Sequence, residues 1–158
     1  MSPRAAWRLE SLGFKRVYDY EAGKADWGST GLPLEGDDPS DHRVGAVARS
    51  DVPTCQLDER LSEARNRVEQ AGWGSCFVIN EQHVLLGRLG RRALASKDDL
   101  PVEEAMTPGP STIRPSARLE PIVERMRRQN LAKLPVTTSD GRFVGVLLRE
   151  DAERALQQ

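Results

Sequence analysis

Asp151 opens the last helix that the sequence predicts. A carboxylate in that position can accept two hydroxyl hydrogen bonds, and a helix N-terminus keeps it ionised. The same placement also serves the helix itself, because an acid at its start satisfies free backbone N–H groups. Arg149, Arg91 and Arg92 follow predicted strand ends, where planar guanidinium forks can meet a phosphate. Exposed arginine is also common as plain solvated surface, so both readings stand for these three. Lys133 and Thr112 would add a second polar wall near the opposite strand end. Thr112 and its counterpart Thr54 suit local hydrogen bonds equally well.

No nucleophile–base pair, carboxylate dyad, phosphate loop or metal cluster is legible in the chain, so an enzyme is not expected. Cys55 and Cys76 lie in apolar contexts and read as packed thiols with no neighbouring base. His42 and His83 have no cysteine or carboxylate at ligand spacing, which argues against a metal site. Arg125, Arg127, Arg128 and Lys133 gather near one predicted helix end, a place that favours cations for local reasons. That cluster lacks interleaved aromatics for base stacking, and the net charge of −1 argues against a nucleic-acid footprint. No apolar run is long enough to span a membrane, and the N-terminus has no signal-type apolar stretch. With two cysteines outside any disulfide pattern, the simplest reading is a cytoplasmic protein.

These residues are placed by elements that occur twice. Laying Thr54 on Thr112 gives an offset of 58 that holds without a gap. Val44 then meets Val102, Leu61 meets Leu119, Arg67 meets Arg125 and Val78 meets Val136. Gly87, Leu89 and Arg91 meet Gly145, Leu147 and Arg149. Each copy reads as a β-α-β-β-α unit. In the second copy Ser111–Arg114 is extended and Pro115-Ser116 opens a helix. Leu119, Ile122, Val123 and Met126 form its apolar stripe. Strands over 134–138 and 143–148 flank the turn Ser139-Asp140-Gly141, and 150–156 closes the unit as a helix. In the first copy Leu57, Leu61, Ala64 and Val68 give the stripe, and 76–79 and 84–89 give the strands. Trp73 precedes a strand and reads as an apolar plug between the copies, with a face for stacking a ligand ring as the functional alternative. Three strands with helices on one face leave apolar surface uncovered, so the copies are expected to pack together as an α/β (α+β) pair.

Ahead of the repeat, Ala5, Ala6, Leu9 and Leu12 recur at helical spacing up to Gly13. Val17, Tyr18 and Tyr20 read as a short strand, and 37–41 as an acidic, breaker-rich linker.

Residues 42–158 closely resemble a tandem pair of cystathionine-β-synthase (CBS) domains, or Bateman module. The carriers are Glu104-Ala105-Met106-Thr107, Ser111-Thr112-Ile113-Arg114-Pro115, Lys133-Leu134-Pro135-Val136, the run from Asp140 to Leu147, and Arg149-Glu150-Asp151. The resemblance divides the chain into a first CBS domain over 42–99 and a second over 100–158. It implies a non-catalytic regulatory pair that binds an adenosine-containing ligand (AMP, ADP, ATP or S-adenosylmethionine) in a cleft between the copies, with no cofactor. In that family an acid at Asp151's position holds the ribose hydroxyls. The implied ligand-binding set is Asp151, Arg149, Thr112, Lys133, Pro135, Arg91 and Arg92. The usual hydroxyl residue three positions before the acid is replaced by Leu148, and the first copy has Gly90 and Ala93 at the two places. A homodimer through the helices is implied as well.

Residues 4–36 separately resemble the C-terminal end of a rhodanese domain, through Ala5–Leu9, Gly13-Phe14, Val17–Tyr20, Gly23-Lys24, Trp27 and Gly31-Leu32-Pro33. On that reading 1–36 is a partial rhodanese-like segment without its catalytic cysteine loop. Three alternatives to the sensor therefore stand: a dimerisation module with no small-molecule ligand, a fragment of a rhodanese–CBS sulfurtransferase, and a nucleic-acid module using the arginine-rich helix.

Overall fold

The computed structural model describes residues 2–18 and 42–157. Helix α1 (Ser2–Ser11) ends where Gly13 takes a left-handed backbone, φ 92°, as its stop signal predicts. Trp7, Leu12, Phe14 and Tyr18 on and after this helix are exposed. Val17 and Tyr18 do not form the expected strand. Asp19, Tyr20, the stretch from Gly23 to Pro33 and the linker 37–41 lie outside the described residues, and part of the rhodanese-like reading falls there.

The first copy comprises α2 (Val44–Val47), β1 (Thr54–Cys55), α3 (Leu61–Gln70), β2 (Cys76–Ile79), β3 (Leu85–Leu89) and α4 (Arg91–Leu94). The second comprises α5 (Val102–Ala105), β4 (Thr107–Pro108), α6 (Leu119–Arg128), β5 (Lys133–Thr137), β6 (Phe143–Leu148) and α7 (Arg149–Ala155). Leu119, Val123 and Met126 bury one face of α6, while Leu61, Ala64 and Val68 bury one face of α3. Leu57 falls before α3, half-buried against the same core. The α3 start is capped from two sides: Glu63 Oε2 accepts from Arg60 N at 3.1 Å, and Asp99 Oδ1 accepts from Ser62 N at 2.9 Å. The expected helix opening at Pro115-Ser116 is instead a turn, and α6 begins at Leu119.

β1 runs parallel to β2, and β2 runs antiparallel to β3. A fourth strand, absent from the three-strand expectation, completes this sheet: β4, from the lead-in of the second copy, pairs Thr107 with Arg88. β5 and β6 form an antiparallel pair, flanked by parallel bridging of Ile113 to Val136 and antiparallel bridging of Arg49 to Val146. Arg49 and Thr107 are repeat equivalents, and so are Val146 and Arg88. Each copy therefore lends its lead-in segment to the other copy's sheet.

The two glycines shared by the copies permit this crossing. A Cβ on Gly145 would stand 2.2 Å from Arg49 O, and one on Gly87 would stand 2.5 Å from Met106 Sδ and 3.0 Å from Thr107 O. Between the copies Val84 bridges its own equivalent, Arg142, and Phe77 stacks on Phe143 with ring centroids 5.1 Å apart. Among the described residues two apolar cores result, each built on one copy with Val44 or Val102 lent by the other, and joined by a smaller cluster of Val52, Phe77 and Val146. Trp73 packs at the edge of the first core and of the joining cluster, the plug position expected of it.

Candidate functional site

At one end of the local two-fold relation, the strand starts and ends of both copies converge on a cavity of about 580 Å³. That lies within the range of roughly 300–1,000 Å³ typical of small-molecule sites. Its wall is made of equivalent pairs: Gly74 with Ala132, Ser75 with Lys133, Gly90 with Leu148, and Arg91 with Arg149. Arg88 and Glu150 complete it. Lys133 and Ser75 meet across the pseudo-axis, Nζ donating to Oγ at 2.5 Å.

The cavity is electrostatically unbalanced. Arg88, Arg91, Lys133 and Arg149 supply four cations against the one carboxylate of Glu150. Among the described residues Arg88, Arg91 and Arg149 have no salt-bridge partner. Lys133 has its pKa pushed down, first by burial and then by the charges of Arg88 and Arg91. Cations held together without counter-ions favour an anion in their midst, and guanidinium forks suit phosphate oxygens. The two halves differ in room. A Cβ on Gly90 would meet nothing within 4 Å, whereas its equivalent Leu148 fills the second half.

The structure thus brings together three of the residues singled out in the sequence, Arg91, Lys133 and Arg149. Arg92 is exposed on α4, away from the cavity wall. Pro135 is buried within β5, where its carbonyl accepts from Ile113 N at 3.0 Å, and neighbouring Thr112 also lies off the wall. Proline at that strand position has no N–H to offer, so its contribution is to the pairing and the core. Asp151 follows Glu150 just outside the wall and is already engaged. Arg49 holds it through Nε to Oδ2 at 2.6 Å and Nη2 to Oδ1 at 3.2 Å, and Arg154 Nη1 donates to Oδ1 at 3.0 Å. The Arg49 hydrogen bond is the main reason the Asp151 carboxyl lies below the usual aspartate range.

Ser75, Arg88, Glu150 and Arg49 were not legible as site residues. Ser75 is the repeat equivalent of Lys133, and mapping the site through the offset would have found it. Arg88 belongs to a strand whose facing direction is set by pairing. Arg49 is 102 residues from Asp151 and carries no local signal at all. The cysteines behave as read: Cys55 and Cys76 are buried in the first core, and the Cys55 thiol pKa is raised by its Cys76 neighbour and by burial.

The family model for the CBS domain matches residues 44–98 and 102–158. An uncharacterized protein of Methanopyrus kandleri is 25% identical over 116 residues, covering 68% of this chain and 59% of that protein. The arabinose 5-phosphate isomerase GutQ of Salmonella typhi is 28% identical over 110 residues, covering 66% of this chain but 34% of the isomerase. Among solved structures, CBSX2 in complex with AMP superposes with a TM-score of 0.66 at 22% identity, over 74% of this chain and 97% of that one. The cytosolic domain of the Mg2+ channel MgtE in complex with ATP gives 0.66 at 21% identity, over 73% and 49%. At these identities the superpositions speak for the fold alone.

Proposed function

This chain belongs to the CBS-domain family, and from that premise we propose that it is a non-catalytic ligand-sensing pair whose ligand is a phosphorylated adenosine nucleotide seated in the axial cavity. The observation that carries the reading is the ring of Arg88, Arg91, Lys133 and Arg149 facing a single carboxylate. Phosphate groups would neutralise that ring, and the open floor at Gly90 leaves room for the nucleoside. CBSX2 with AMP and the MgtE domain with ATP lend support, as relatives in fold that hold such nucleotides. Of the ligands that the family resemblance implies, S-adenosylmethionine fits least, being a sulfonium cation without a phosphate. Binding would shift the population between arrangements of the two copies, to the extent that the ligand contacts both halves of the wall.

Calorimetry with AMP, ADP, ATP, S-adenosylmethionine and adenosine tests this. Affinity should rise with phosphate number and vanish for adenosine. Lys133→Ala should weaken binding about 10- to 100-fold, the size expected for a lost charge-assisted hydrogen bond of roughly 1.5–3 kcal/mol. Absence of heat with every nucleotide would remove the reading and leave a structural pairing module.

A further inference from the structure

Three of the roughly four acceptor positions of the Asp151 carboxylate are taken up from within the chain. Both carboxylate oxygens face Arg49, and Arg154 adds a third bond, so the side chain is only 12% exposed. Arg49 is not a free surface arginine that happens to lie near. Its backbone N donates to Val146 O, and its carbonyl accepts from Val146 N, both at 2.9 Å. It sits against Gly145, where any Cβ would strike its carbonyl oxygen. The crossing lead-in strand therefore delivers the guanidinium to the carboxylate. The arrangement exists in one copy alone, because the equivalents of Arg49 and Asp151 are Thr107 and Ala93, which cannot ion-pair.

We propose that Arg49 is a resident counter-ion that removes Asp151 from ligand recognition, so that the site selects its ligand by phosphate and not by the ribose diol. This inference rests on the nucleotide reading above. A ribose diol brings two neutral hydroxyls to a carboxylate, whereas Arg49 brings charge in a two-point fork, the stronger class of hydrogen bond. The diol must displace a guanidinium bound to Asp151 through two hydrogen bonds, while phosphates entering the cavity displace nothing bound to Arg88, Arg91 or Arg149. Discrimination thus falls to the cationic wall, and Arg49 becomes a specificity-determining residue outside it.

The test compares ATP with 2′,3′-dideoxy-ATP by calorimetry on the wild-type protein, on Arg49→Ala and on Arg49→Gln. The glutamine variant keeps side-chain bulk over the sheet in case the alanine variant fails to fold, which circular dichroism would report. The wild type should bind the two nucleotides with affinities within about twofold. Removing the charged Arg49 fork from Asp151 by either substitution should create a preference for ATP of about tenfold, the size of one good hydrogen bond. Adding Asp151→Ala to the Arg49 variant should abolish that preference. A wild type that already prefers ATP tenfold, or Arg49 variants that bind without gaining a preference, would overturn the role of Arg49 and leave the nucleotide reading intact. Failure of both nucleotides to bind the wild type and a folded Arg49 variant would overturn the two together.

Discussion

Asp151 accepts three hydrogen bonds from two arginines, and the consequence is a carboxyl group held below its ordinary value. The unfolded chain titrates this group near 3.9, and the folded chain titrates it lower. A depressed carboxylate contributes stability in full above the unfolded value and loses it as pH falls through the folded value. Asp151→Asn should therefore lower the melting temperature at pH 7, and the gap to wild type should close as the pH is taken from about 4 towards 2. Thermal melts across that range check it; an equal gap at pH 7 and pH 2 would show that the carboxylate charge is not the source. The placement of this acid at a helix start was readable from its neighbours. Its partner was not, since Arg49 reaches it from 102 residues away through a strand exchange.

The exchange itself depends on elements short enough to escape notice. β4 has two residues and the Arg49 contact is a single bridge, yet each fixes one copy's lead-in on the other copy's sheet. The glycine at 145 is the tighter of the two crossings, because the atom opposing a Cβ is the Arg49 carbonyl oxygen at 2.2 Å, which cannot move without breaking the bridge. At Gly87 the nearest atom belongs to the flexible end of Met106. Gly145→Ala should cost about 2–4 kcal/mol, from two backbone hydrogen bonds and the repacking around them, and Gly87→Ala less. Gly90→Ala, where nothing opposes a Cβ within 4 Å, is the control that should leave the denaturant midpoint within a few tenths of a molar. Equal losses at all three positions would point to backbone entropy and away from the crossing.

At the scale of the molecule, reciprocal strands, the Phe77–Phe143 stack and the Val84–Arg142 bridge make each copy part of the other's sheet and core. Unfolding one copy exposes apolar surface and orphan backbone groups on its mate, so the repeat region should melt as one cooperative unit. Leu61→Ala in the first core and Val123→Ala in the second remove fully buried side chains, and each should cost about 2–4 kcal/mol. Both should shift the same calorimetric transition downward. A scan in which Leu61→Ala splits off a separate low-temperature peak would mean that the copies unfold independently.

The repeat, its β-α-β-β-α order and the apolar faces of α3 and α6 were determined by sequence alone, because hydrophobic periodicity and glycine placement act over a few residues. Arg91, Arg149 and Lys133 were expected at strand ends, within a wider set that also held Arg92, Thr112, Pro135 and Asp151, and the fold lines one cavity with those three. Only the tertiary structure decided that Arg88 joins them, that Pro135 pairs within β5 instead, and that Arg49 takes Asp151. Those outcomes turn on which segment crosses to which sheet. That choice is set by packing between residues far apart in the chain, where local pattern carries no information.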